Sequence, residues 1–176
     1  MKKITSLIVV CVVTLILMGN QSYASDQHAT GKKKFLFHVK TSLEKDDAQI
    51  CVVPNVAWAA LKKGHEVTLL FDASAVTSVK KGGFFDSTTT PMDEADLPER
   101  ERKALAKQFD FPIKQIPHNY GEYLKFIKEK GAKLFINGTM MLLYKYKPEQ
   151  MDTNLEIISL IKMIDLIAQA DIYAAY

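Results

Sequence analysis

The chain has 176 residues, 48% of them hydrophobic and 24% charged, the balance of an ordinary globular protein rather than a disordered one. Its 23 Lys+Arg and 20 Asp+Glu give a formal net charge of +3; without Lys2 and Lys3 the count is 21 against 20, so no single-sign field exists to attract nucleic acid or an anionic membrane. Two cysteines, Cys11 and Cys51, are too few for a disulfide scaffold or a cysteine-rich metal centre.

Lys2 and Lys3 precede an apolar run over residues 4–18, broken only by Thr5, Ser6 and Thr14. Gly19, Asn20 and Gln21 end it, and Ser22-Tyr23-Ala24 puts small residues where a signal peptidase reads. This pattern predicts a cleavable signal peptide over residues 1–24 and export to the periplasm (or secretion). The run falls short of the roughly 20 residues that span a bilayer, so no stable membrane insertion is expected after cleavage. Cleavage would also remove Cys11 and leave Cys51 alone. Residues 25–34 are polar and read as a flexible N-terminus. Residues 35–176 are expected to form one domain.

Within that domain, Phe35-Leu36-Phe37-His38-Val39 reads as a first strand. Thr41, Ser42, Asp46 and Asp47 supply turn and N-cap material. Residues 48–63 read as a helix with Ile50, Val53, Ala57, Ala60 and Leu61 on one face, stopped by Gly64. Pro54 inside it predicts a kink or restart. A second strand over 65–71 ends at Asp72 and completes a right-handed βαβ unit. A short helix over 73–81 leads into a Gly/Thr/Asp/Pro-rich excursion over 82–96. A charged helix over 98–108, an irregular stretch over 111–119 and a helix over 120–130 follow. A third strand over 133–136 runs into a turn at Asn137-Gly138-Thr139. Residues 140–146 read as one or two helical turns. Residues 155–169 read as one helix, with Glu156, Ser159, Lys162, Asp165 and Gln169 on its polar side. A short strand over 170–176 closes the chain. The order predicts an α/β fold: a three-layer sandwich with a mostly parallel sheet of about five strands.

In such a sheet ligands bind beyond the C-terminal strand ends. Those ends nominate Thr41, Ser42, Asp72, Asn137, Gly138, Thr139 and Met140 as binding residues. The four histidines show no metal-ligand spacing. His38 reads as a core histidine with one hydrogen bond, or else as a residue aimed at the site near Thr41. His65 reads as a surface or capping residue. Met92, Met140, Met141, Met151 and Met163 read as core filler, with a soft-metal site as the alternative. Cys51, between Ile50 and Val52, reads as an inert buried thiol, with a nucleophile or persulfide carrier as the alternative.

Several segments, taken in order, resemble the DsrE-like (DsrE/DsrF sulfur-relay) family. They are Ala57-Trp58-Ala59-Ala60-Leu61-Lys62-Lys63-Gly64-His65-Glu66-Val67, Leu69-Leu70-Phe71-Asp72, Tyr123-Leu124-Lys125, Lys130-Gly131-Ala132-Lys133-Leu134-Phe135-Ile136 and Ala170-Asp171-Ile172-Tyr173. The resemblance implies a three-layer α/β domain packed into homo-oligomers. In the sulfur-handling members a cysteine stands at the end of the strand that here ends Phe135-Ile136, and exported relatives often carry a pair there. This chain has Asn137-Gly138-Thr139-Met140 instead, and an amide, a hydroxyl and a thioether cannot carry a persulfide. The expectation is an exported, non-catalytic DsrE-like protein without a cofactor or metal. It would bind a small ligand or partner protein at the strand ends. A sulfur carrier or sulfurtransferase using Cys51, and a soft-metal-binding protein, are the alternatives.

Overall fold

Five parallel strands build the sheet in the computed structural model, which describes residues 31–82 and 88–176. They are β1 (Lys34–Val39), β2 (Glu66–Phe71), β3 (Lys133–Asn137), β4 (Glu156–Ile158) and β5 (Ile172–Ala175), in the order β4-β3-β2-β1-β5. The helices are α1 (Asp47–Lys62), α2 (Pro91–Glu94), α3 (Glu99–Phe109), α4 (Tyr120–Glu129), α5 (Gly138–Leu143) and α6 (Leu160–Ala168). The expected signal peptide lies outside the described residues, as do residues 25–30 of the expected flexible N-terminus; Lys34, the last residue of that segment, instead opens β1.

Period-two alternation divides the sheet into two faces. Phe37, Val39, Val67, Leu69, Phe71, Leu134 and Ile136 enter the main core with Ile50, Val53, Ala57 and Trp58 of α1 and Tyr123, Leu124 and Ile127 of α4. Leu36, Leu70, Phe135 and Ile158 point the other way and pack under Met163, Leu166, Ile167 and Ala170 of the α6 segment. The topology explains the division. From β1 to β4 the chain steps along the sheet in one direction; from β4 it returns past β1 to β5. A right-handed crossover run in reverse lays its helix on the opposite face, so α6 is separated from α1 and α4. The result is the expected three-layer α/β sandwich, with every strand pair parallel.

Four local expectations are corrected. The helix read over 155–169 is a strand and a helix. Residues 156–158 continue the sheet beside β3, and Ser159 then caps α6 by accepting from the Lys162 amide. The polar period ran across both because Glu156 and Ser159 happen to sit three apart. The turn read at Asn137-Gly138-Thr139 is the start of α5, with Asn137 as its N-cap. The 82–96 excursion holds α2, fixed by a reciprocal capping box between Thr90 and Asp93. Finally, of the kink or restart expected at Pro54, the restart does not occur: α1 is continuous over Asp47–Lys62. Val53, Pro54, Ala57 and Trp58 are all buried there, and burial of that face outweighs one missing hydrogen bond. Gly64 stops α1 as expected, at φ +81°, a conformation that disfavours any residue with a Cβ.

Candidate functional site

Registry brings three polar residues together at the C-terminal edge of the sheet. His38 of β1 is paired with Leu70 of β2, and Leu70 with Phe135 of β3. Two residues further along, Asp72 and Asn137 therefore share a sheet face with His38, the face beneath α6. Tyr173 of β5 pairs with Leu36 and joins them from the other side.

These four side chains form one hydrogen-bonded chain. His38 Nε2 lies 2.8 Å from Asp72 Oδ2. His38 Nδ1 lies 2.8 Å from Tyr173 Oη. Asn137 Nδ2 donates to Asp72 Oδ1 at 2.8 Å. The Asn137 carbonyl accepts the Thr139 amide at 2.9 Å and the Met140 amide at 3.5 Å, closing the first turn of α5. His38 and Asn137 are buried, at 6% and 3% exposure, whereas Tyr173 is 48% exposed.

The electrostatics follow from these bonds. The His38 hydrogen bond, helped by the Ala73 amide and the Asn137 carboxamide, holds the Asp72 carboxyl down at about 2 against the opposing effect of burial. An ionised carboxylate can only accept, so the proton between the two residues sits on Nε2. Nδ1, the other ring nitrogen, is bonded to the Tyr173 hydroxyl, which can serve it as donor or acceptor. Among the described residues no buried side-chain nitrogen or oxygen lacks a partner. The network thus holds an ionised Asp72 whose oxygens are satisfied from within, with a phenol as its exposed end.

Of the residues nominated from sequence, the structure brings together Asp72, Asn137 and the amides of Thr139 and Met140. Gly138 lies against β4: a Cβ there would meet Ile157 Cγ2 at 2.9 Å and the Ile158 carbonyl at 3.1 Å. Thr41 and Ser42 are tied elsewhere. The Thr41 hydroxyl donates to Gln49 Oε1 at 3.3 Å, and the Ser42 amide donates to Ser74 Oγ at 3.1 Å. His38 makes two side-chain hydrogen bonds, not one, and Tyr173 was not nominated at all. The usable signal was the period-two face of β1 and β5, which puts both residues beside Asp72.

Cys51 stands apart from this site. It is half-buried rather than buried as expected, because it lines an open cleft of about 550 Å³ with Leu43, Asp47, Asp96, Glu101 and Tyr120. Burial, with Asp47 and Glu101 adding to it and a Tyr120 hydrogen bond opposing, pushes the thiol up to about 11. Tyr120 is itself raised by burial and by the cysteine, and donates to Glu101 Oε2 at 3.0 Å. A thiol among carboxylates stays protonated, which is the wrong state for a nucleophile or persulfide carrier.

Met92, Met141 and Met151 are buried in the main core, and Met140 and Met163 pack against the two apolar clusters. Among the described residues no group of three or more His, Cys, Asp and Glu could hold a metal ion. His65 Nδ1 accepts the Lys33 amide at 3.3 Å, in keeping with a capping role.

The class these observations define is an α/β sandwich with an all-parallel five-stranded sheet and a polar network at its C-terminal edge. In comparison with known proteins, the chain matches no family model and no curated protein.

Proposed function

We propose that this is an exported DsrE-like protein that carries no sulfur. It binds a small ligand or a partner protein at the C-terminal ends of the strands and works as a homo-oligomer. The carrying observation is the Asn137–Asp72 hydrogen bond. The strand-end position where sulfur-handling relatives hold a thiol is filled by a carboxamide. That group is already spent on Asp72 and on the α5 amides. A preorganised edge of this kind suits recognition, because its geometry costs nothing further to set up on binding. The Cys51 alternative has less support, since its thiol is held protonated and lies in a different cleft.

Intact-mass analysis after exposure to polysulfide tests the chemistry. The expected result is no sulfur adduct; a persulfide on Cys51 would overturn the proposal in favour of a carrier. Native mass spectrometry of the purified protein tests the binding role. A monomer that retains neither a small molecule nor a protein would end it.

A further inference from the structure

We propose that the outer face of α6 is a self-association surface, on which a second copy of this chain docks about a two-fold axis. The proposal rests on the self-association in the reading above and names the surface that carries it.

Seven of the nine residues of α6 (Leu-Ile-Lys-Met-Ile-Asp-Leu-Ile-Ala) are apolar, yet none is fully buried. Met163, Leu166 and Ile167 face the sheet. Leu160, Ile161 and Ile164 do not, and stand 45%, 77% and 57% exposed. Helical spacing turns Ile161, Ile164, Asp165 and Ala168 outward as one strip, with Leu160 beside it. Leu160, Ile161, Ile164 and the half-exposed Tyr173 of the same sheet face offer on the order of 400 Å² of mostly apolar surface. A stable interface takes about 800 Å² from each partner, a little over half of it apolar. The strip supplies an apolar centre of the kind such an interface needs.

Charge selects the second copy over an unrelated partner. Asp165 edges the strip and Lys162 lies beyond it on the same flank, and neither makes an ion pair among the described residues. Lys162 borders a cleft with Lys133 and Glu156, so this flank is turned towards β3 and β4. A two-fold axis running across α6 sets two copies of the helix antiparallel and places like flank against like flank. Lys162 of each copy then stands opposite Asp165 of the other, while Leu160, Ile161 and Ile164 of one copy meet the same three residues of the other. One helix thus carries both halves of its own complement. A partner of strong single-sign charge finds no match there.

Sedimentation equilibrium of the purified protein and its variants tests this. Wild type is expected to be a dimer or a higher even-numbered assembly, and Ile161→Glu to abolish that contact. Lys162→Asp sets two aspartates against two and should weaken association by about tenfold or more. Lys162→Asp combined with Asp165→Lys should restore it. All three positions are exposed, so circular dichroism melting should show each variant folded. Assembly that survives Ile161→Glu overturns this surface but leaves self-association standing. A double variant that does not recover overturns the two-fold pairing. A wild type that stays monomeric overturns both this proposal and the self-association on which it rests, and leaves α6 to a different protein.

Discussion

Asp72 and Cys51 are both ionisable groups held in polar surroundings close to the core, and their environments drive them in opposite directions. Asp72 meets an imidazole N–H, an amide N–H and a carboxamide, all donors, and is held ionised far below the usual carboxylate range. Cys51 meets burial and two carboxylates, and is held neutral well above the usual thiol range. Burial pushes both groups towards their neutral forms, and it prevails at Cys51 but is overridden by hydrogen-bond donors at Asp72. The neighbouring dipoles and charges decide whether burial wins: donors oppose it at Asp72, and carboxylates add to it at Cys51. The sheet edge therefore keeps an ionised carboxylate, while the cleft on the α1 side keeps a protonated thiol.

The strongest way to break this contrast is to empty the sheet edge. Asp72→Ala leaves the buried His38 Nε2 and Asn137 Nδ2 without their acceptor, and each orphaned donor costs about 1–3 kcal/mol. Urea unfolding should show a loss of about 3 kcal/mol. A loss under about 0.5 kcal/mol, the usual scale of a neutral surface change, would mean that the network does not hold the edge together.

The second prediction probes the other member of the pair. A thiol at about 11 holds about a hundredfold less thiolate at pH 8 than one near its usual value. Iodoacetamide should therefore alkylate native Cys51 about a hundredfold more slowly than the same cysteine in denaturant, and the rate should still be rising at pH 10. Labelling at the denatured rate would show an activated cysteine and reverse the comparison.

The third and smallest effect is the acid response. Asp72 is depressed on folding, so its contribution to stability is fully present above its ordinary value of 3.8 and is lost as pH falls towards about 2. The mid-point of urea unfolding should drop across that window in the wild type. Asp72→Asn, which cannot titrate, should show a shallower drop. Equal slopes in the two proteins would place the acid-sensitive charge elsewhere.

Much of the fold was legible because apolar periodicity survives from sequence into structure. The strands at 35–39, 65–71 and 133–136 and the helix at 48–63 all appear within a residue or two. The failures are informative. β4 is only three residues long and leads through Ser159 into α6, so no period could separate the two. Asn137 was nominated for its place at a strand end, and it belongs to the site. Its partner His38 is buried, as a core histidine should be, but a lone histidine in an apolar strand carries no sign of what it faces, so the choice between one core hydrogen bond and a place at the site stays open in the sequence. Tyr173 lies far from both along the chain, and only the return of the chain past β1 brings its hydroxyl to His38.

Local chemistry, written in the order of residues, determined that this chain makes an α/β domain and that Asp72 and Asn137 stand at strand ends. It also determined that no thiol occupies the position after Ile136, since composition along a strand needs no neighbour to be read. Tertiary structure alone decided the rest. Strand order put four distant residues on one face within hydrogen-bond reach, hydrogen-bond donors at Asp72 and burial with neighbouring charge at Cys51 set their protonation, and the reversed crossover laid α6 on the opposite face with its own outer side exposed. Each of these depends on which segments become neighbours, and proximity across a sheet is a property of the assembled fold.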